Sequence, residues 1–230
     1  MGSRLAVALS LAGVLCAAGT ADARSANRHT MAGLAAPGLD PALLATGLRA
    51  ASCVQATIPV AQSQLLTIID YSKPSTIPRL WVIDRATGRV LFTELVAHGR
   101  GSGENLATRF SNEDGSLQSS LGMFLTGDTY VGSNGYSLRL RGLEPGFNDH
   151  AWDRAIVMHG AAYVRSGMEA QGRLGRSWGC PALSLSSART VIDTIKGGSL
   201  IFAYYPDSQW LQQSRFLGGC SSVPGSAVAN

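Results

Sequence analysis

The sequence predicts a mainly β domain with a few helices, and three observations carry that reading. Beyond residue 60 the apolar residues come in short, often β-branched runs bounded by Gly, Asn and Asp. There are 27 glycines against 9 prolines with no G-x-y period, which points to many turns rather than long helices. No shift in composition after residue 60 marks a second domain. With 230 residues, 45% apolar and 15% charged, the chain is neither disordered nor short of core material. A chain of this size buries roughly 70% of its unfolded surface, so folding needs no metal and no dense disulfide scaffold.

The elements follow in order. Asp40 is a helix cap and Pro41 a first helical residue, predicting a helix over 42–51. Leu65 to Asp70 is a buried strand. Arg79 to Asp84 and Arg89 to Ala97 flank Ala86-Thr87-Gly88, a hairpin. The polar stretch from His98 to Ser120 is long for a connector in a compact domain and reads as a functional loop. Strands are expected over 121–126 and 136–140, around the Gly132 to Gly135 turn, and over 155–158. Ser186 caps a helix over 187–196 with Val191, Ile192 and Ile195 on one face and Gly197 as its stop. A last strand covers 199–205 and a terminal helix 207–217.

The N-terminus reads as an export signal. Arg4 precedes an apolar stretch from Leu5 to Cys16, and Ala21-Asp22-Ala23 is a small-x-small cleavage pattern. About a dozen apolar residues are too few for a comfortable membrane span, which takes about 20. Leu15 stands where a lipoprotein signal needs a small residue, so Cys16 is not a lipidation site. The expected division is therefore a signal peptide at 1–23, a linker and N-terminal helix at 24–60, the main domain at 61–217 and a tail at 218–230. Cleavage removes Arg4 and Asp22, leaving 19 − 1 = 18 basic and 15 − 1 = 14 acidic residues, still +4. Seventeen of the 19 basic residues are Arg, scattered without a run, which argues against nucleic acid and leaves an acidic ligand open.

Three cysteines remain after cleavage: Cys53, Cys180 and Cys220. In an oxidising compartment one thiol is left over if two pair. Residue spacing alone does not choose the pair. Cys53 and Cys220 lie near the ends of the mature chain, and joining them would leave Cys180 unpaired.

A leftover thiol in an exported protein invites a nucleophile reading. The thiolate is the reactive form, and a nearby imidazole can take its proton to give a thiolate–imidazolium pair. His159 follows the apolar run 155–158. Cys180 follows Gly179, where backbone N–H groups of Trp178, Gly179 and Cys180 can form an oxyanion hole. A structural thiol and a merely hydrogen-bonded histidine fit the same residues. There is no H-E-x-x-H and no C-x-x-C, so metal binding is disfavoured.

His159-Gly160 followed by Ser177-x-Gly179-Cys180 resembles the signature of the L,D-transpeptidase (YkuD-like) catalytic domain, in its divergent second branch. The resemblance runs from about Leu65 to Tyr205. It implies a β-sandwich or barrel-like fold and an acyl transfer on peptidoglycan stem peptides through a Cys180 thioester. His159 would be the base, Ser177 and Gly179 would shape the loop, and no cofactor or metal would be needed. Trp178, Arg173, Arg176, His98 and Gly160 are the expected substrate-binding residues; His98-Gly99 is a second His-Gly after a strand, which makes His98 the alternative base to His159. Asn134, Tyr136 and Asn148 are further candidates for the cleft walls. An active nucleophile requires Cys180 as a thiol, so a Cys53–Cys220 disulfide is expected. Two motif positions depart from the commoner family pattern: Trp178 stands where that pattern has His, and Ala182 where it has Arg. The partner is a stem peptide, with no nucleic acid, no membrane span after cleavage, and a monomer as the working expectation. The acceptor is an amine or water, the latter making an L,D-carboxypeptidase. A module that binds muropeptides without turnover is the rival from another class. A papain-like peptidase would place its Cys before its His, the reverse of the order here.

Overall fold

The computed structural model describes Gly2, residues 36–58, residues 63–218 and Cys220. The expected signal peptide, the linker up to residue 35 and the tail from 221 lie outside the described residues. The fold is mainly β, as expected, with one eight-stranded sheet. Its strands are β1 (Leu65–Asp70), β2 (Leu80–Asp84), β3 (Arg89–Glu94), β4 (Gly122–Gly132), β5 (Gly135–Gly142), β6 (Val157–Ala161), β7 (Ala182–Ser184) and β8 (Leu200–Tyr204). Their order across the sheet is β3-β2-β1-β8-β4-β5-β6-β7. The two edges then meet. The Ala97 amide donates to the Ala182 carbonyl at 2.8 Å and the Ala182 amide to the Ala97 carbonyl at 3.4 Å. That bridge covers the edge of β7 and bends the sheet towards a closed barrel.

Helix α1 (Pro41–Thr57) starts where Asp40 accepts the Ala42 amide at 2.6 Å. It runs six residues past the expected end. Beyond that end, Ser52 and Thr57 bond back to the carbonyls of Leu48 and Cys53 at 2.9 Å each. The helix lies so close on the sheet that a Cβ at Gly47 would stand 3.1 Å from Ile68 and from Phe202. Only a residue without a side chain permits that approach without a shift. Cys53, buried on α1, is joined to Cys220 with a Cα–Cα distance of 5.3 Å, and Cys180 is a free, buried cysteine.

Four further differences from the expectation bear on the site. The strands expected over 121–126 and 136–140 form a longer hairpin, β4–β5, whose register shifts between Thr126 and Thr129. Gly127 and Asp128 sit at that irregularity, where a sequence pattern reads a strand end. The run expected at 155–158 starts two residues later, so His159 sits within β6 rather than after it. β7 was not foreseen, since three residues of Ala-Leu-Ser carry no strand signal. Helix α2 (Ala188–Ile195) packs Val191, Ile192 and Ile195 into the core as expected. The last helix, α3 (Ser208–Gln213), stops at Ser214, short of 217.

Candidate active site

Strand pairing assembles the site from three separate stretches. β6 lies parallel to β7, with His159 opposite Ala182. Cys180 lies two residues before Ala182, beside Val157. Its sulfur meets the Val157 amide at 3.5 Å and faces the Ala155 carbonyl at 3.8 Å. Ala155 adopts φ +52°, a left-handed conformation that costs a non-glycine residue roughly 1 kcal/mol or more. That strain sits where the chain directs its carbonyl at the sulfur, as strain at functional sites often does.

The third stretch is the polar loop after β3. Gly99 bridges Ser177, the Ser177 amide donates to the His98 carbonyl at 3.0 Å, and the Arg100 amide donates to the Ser177 carbonyl at 2.8 Å. The contact is close backbone on backbone: a Cβ at Gly99 would stand 2.8 Å from the Gly179 Cα. This explains the His98-Gly99 pair better than a second base does. Ser119 completes the support. Its hydroxyl donates to the Gly179 carbonyl at 2.9 Å and accepts the Gly99 amide at 3.0 Å.

Within the Cys180 loop, the Ser177 hydroxyl donates to the Cys180 carbonyl at 2.6 Å and accepts the Gly179 amide at 3.1 Å. Ser177 therefore spans the turn and is placed to orient it rather than to attack. The Gly179 amide is thereby engaged, which removes it from the expected set of oxyanion donors in this state. The amides of Trp178 and Cys180 donate to no protein group among the described residues. Gly179 holds φ +126°, and a Cβ there would stand 2.8 Å from the Gln118 carbonyl oxygen and from Ile156.

His159 is nearly buried, and its Nδ1 lies 3.1 Å from the Gly160 carbonyl. A carbonyl only accepts, so Nδ1 carries the proton and Nε2 keeps its lone pair. Burial lowers the His159 pKa below 6.5, offset in part by the Gly160 carbonyl. Burial raises the Cys180 pKa, offset by the Val157 amide and by the Arg154 charge. Both shifts favour a neutral thiol beside a neutral imidazole, not the thiolate–imidazolium pair the sequence suggested. No hydrogen bond joins Cys180 to His159. Catalytic contacts of this kind often tighten only when substrate binds.

His98 differs. It is fully buried, and its Nδ1 lies 2.7 Å from Arg79 Nη2. Arginine only donates, so Nδ1 is the acceptor and Nε2 carries the hydrogen. Burial first, then the Arg79 charge, push the His98 pKa down to about 4. A ring with its lone pair spent on Arg79 cannot serve as a base, and one with no exposed surface does not face a ligand. His98 thus props the loop from beneath.

The other expected residues divide. Arg173 and Arg176 both pair with Glu104, at 2.8 and 2.6 Å, and Arg176 also donates to the Gly103 carbonyl at 2.9 Å. These guanidiniums are spent on holding two loops together. Gly160 contributes its carbonyl. Trp178 is 71% exposed, with the Arg100 guanidinium 5.6 Å from its ring. Tyr136 turns away to donate to Asp193 at 2.6 Å, and Asn148 is buried and holds the Leu121 and Met123 carbonyls. Asn134 sits in the exposed turn at the hairpin tip.

Two arginines escaped the sequence reading. Arg79 is fully buried with no acidic partner within ion-pair distance among the described residues; its donors go to Val96, Lys73 and His98. Arg154 spends four hydrogen bonds on Ser111, Ser116, Gln118 and Ser120 and is a cation that favours ionisation of Cys180. Sequence marks both only as charges flanking strands, and no local pattern distinguishes a buried one. Among the described residues no group of three or more His, Cys, Asp or Glu side chains is placed to hold a metal ion.

The site thus holds a buried thiol on a tight Ser-x-Gly-Cys turn, on the strand connection next to an imidazole whose Nε2 keeps its lone pair. The chain belongs to the L,D-transpeptidase catalytic domain family, whose model matches residues 35–204. Among solved structures it is similar to an L,D-transpeptidase from Mycobacterium smegmatis: 16% identity, 62% of this chain, 59% of that chain, TM-score 0.40. A Mycobacterium tuberculosis L,D-transpeptidase matches at 14% identity over 62% of this chain and 58% of that one, TM-score 0.40. A mutant Enterococcus faecium L,D-transpeptidase matches at 12% identity over 62% of this chain and 50% of that one, TM-score 0.36. The chain thus spans about three-fifths of the length of the first of these structures. No curated protein matches it significantly.

Proposed function

We propose that this chain is an exported murein L,D-transpeptidase acting on peptidoglycan stem peptides. The observation that carries the reading is the free, buried Cys180 on its Ser177-held turn, one strand from His159. Cys180 attacks the carbonyl at the L-centre of a diamino acid in an L,D bond. As the C–S bond forms, the thiol proton passes to His159 Nε2. As the C–N bond breaks, that proton passes to the leaving amine of the terminal D-amino acid. The developing oxyanion is met by the Trp178 and Cys180 amides. The thioester then goes to an amine, making a cross-link or an attached protein, or to water.

The raised thiol pKa supports concerted proton transfer over a standing ion pair. It also requires the sulfur to turn from the Ala155 carbonyl towards His159 on substrate entry. Export is supported by the apolar N-terminus and by the Cys53–Cys220 bridge, which suits an oxidising compartment. No helix among the described residues is long and apolar enough to cross a membrane.

The test is to incubate the mature protein with tetrapeptide muropeptides and follow products by mass spectrometry. Release of a D-amino acid and a thioester adduct on Cys180 are expected, both absent in Cys180→Ala, with His159→Ala nearly as severe. Full turnover in Cys180→Ala sinks the assignment. Binding without turnover by the unmodified protein favours the inactive-module reading, for which Trp178 and Ala182 at motif positions speak.

A further inference from the structure

The face of the sheet that carries His159 also carries a guanidinium that no hydrogen bond or ion pair engages among the described residues. In the β5–β6 ladder Ser137 lies opposite His159, and Arg139 lies opposite Val157. Directly opposed residues project to the same face, and so do residues two apart along a strand. Arg139 therefore shares the face of His159 and stands beside Val157, whose amide meets the Cys180 sulfur. Two strand spacings, about 10 Å, separate its backbone from that of Cys180.

The Arg139 side chain is clamped. Its guanidinium carbon lies 4.5 Å from the Tyr130 ring centroid and 5.0 Å from that of Trp152. Tyr130 is opposite Ser137 and so shares this face. Arg141, two residues on, lies 5.8 Å from the same Trp152 ring, which is 45% exposed. Trp152 also opens the turn whose last residue, Ala155, aims its carbonyl at the sulfur. Gly127 lies beside this packing: a Cβ there would be in ordinary contact at 3.6 Å from the Arg139 Cβ and 3.9 Å from the Trp152 ring.

Four other arginines near the site are committed, Arg173 and Arg176 to Glu104, Arg154 to the 111–120 loop, and Arg79 to buried carbonyls, while Arg100 lies against the ring of Trp178. Among the described residues no hydrogen bond or ion pair engages the side chain of Arg139 or Arg141. Stacking occupies the faces of a guanidinium and leaves its N–H edges open, in the fork geometry that matches a carboxylate. The clamp has also restricted the side chain already, so binding sacrifices less rotamer freedom.

We propose that Arg139, held by Tyr130 and Trp152 and assisted by Arg141, binds a carboxylate of the donor peptide within one or two residues of the bond that Cys180 attacks. This rests on the reading of Cys180 as the acyl-transfer nucleophile. It assigns the charge recognition that Arg173 and Arg176 are not free to supply.

The test separates the two. Binding of tetrapeptide stems to the full mature Cys180→Ala protein is measured by calorimetry. The probes are the peptide with its carboxylates free and the same peptide with each carboxylate amidated in turn. One amidation should weaken binding by about tenfold or more, the worth of a charge-assisted pair. In Arg139→Gln that discrimination should vanish while the amidated peptide binds as before. Arg139→Lys should restore part of it, and Arg141→Gln should lose less. Thermal unfolding and iodoacetamide labelling of Cys180 in each variant with the thiol restored check that the site is intact. Should Arg139→Gln and Arg139→Lys keep the full discrimination, the carboxylate site is overturned whether or not the enzyme turns over. Should the discrimination follow Arg139 while the unmodified protein releases no D-amino acid, the carboxylate site stands and the transpeptidase reading falls.

Discussion

Acidification should weaken this fold by an amount traceable to one buried ring. His98 has no exposed surface, accepts from Arg79 through Nδ1, and holds a pKa of about 4. Its unfolded value is near 6.5. A histidine with a depressed pKa is neutral in the fold, so between the two values the unfolded chain binds more protons. Stability is complete above pH 6.5 and is lost as pH falls through 6.5 towards 4. Linkage across that shift gives a loss of about 2 kcal/mol between pH 7.5 and pH 5, with a further 1 kcal/mol or more by pH 4. For a domain of this size that is a fall in Tm of roughly 4–8 °C. The assay is urea unfolding at pH 7.5, 6.5, 5.5 and 5.0 on the disulfide-intact protein and on His98→Asn. The asparagine Oδ1 can accept from Arg79 without titrating. Every other group is common to both proteins, so the difference isolates His98. The variant should start less stable, because it leaves a smaller side chain in a packed site, but its stability should fall less with pH. Parallel losses in the two proteins between pH 7.5 and 5 would refute the buried, Arg79-bound assignment. They would return His98 to the list of candidate bases.

Three further outcomes follow from the site. Gly179→Ala should cost about 2–5 kcal/mol, combining a φ of +126° with contacts at 2.8 Å to the Gln118 carbonyl and Ile156, and should abolish turnover; an active, equally stable variant in thermal unfolding would contradict the turn geometry. Alkylation of Cys180 by iodoacetamide should be slow at pH 7 and rise only above the ordinary thiol range, since burial raises its pKa; an inflection below pH 7 would show a resting thiolate instead. Non-reducing peptide mapping should find Cys53 linked to Cys220 and Cys180 as the free thiol; the bridge closes a separation of 167 residues, so Cys53→Ser should lose up to about 5 kcal/mol in the chain-entropy limit, and an unchanged melting temperature would remove the bridge from the stability argument.

The strands that wrote themselves into the sequence are those whose burial is local in origin. Leu65 to Asp70 and Leu200 to Tyr204 are apolar runs because the middle of the sheet is covered on both faces, and that pattern needs no partner to be read. β7 has no such pattern. Its three residues are a strand because they pair in parallel with β6, with Ala97 closing on Ala182 from the other side across 85 residues, and such pairing leaves no mark on neighbouring residues. The same distinction runs through the site. Ser177, Gly179 and Cys180 share one turn, so their neighbourhood was legible in the short motif that carries the family resemblance. The props under the turn could not, because Gly99, Ser119 and Arg79 reach it from other stretches. Arg139 is the sharpest case. Along β5 it reads as an ordinary outward charge in an alternating strand, between buried Leu138 and Leu140. What sets it apart is two rings contributed by β4 and the turn before β6, together with the strand register that places it beside Val157. A motif on one turn is therefore visible in the sequence, while the strand that lies next to it becomes visible only once the strands are paired. The departure at Ala182 follows the same logic. The commoner family pattern has an arginine at that position, on β7, but here Ala182 is fully buried in the small apolar cluster with Ala97, Ala161 and Val164. A guanidinium there would have to displace the contact that closes the sheet. The proposed carboxylate site at Arg139 lies on the other side of β6 from that contact.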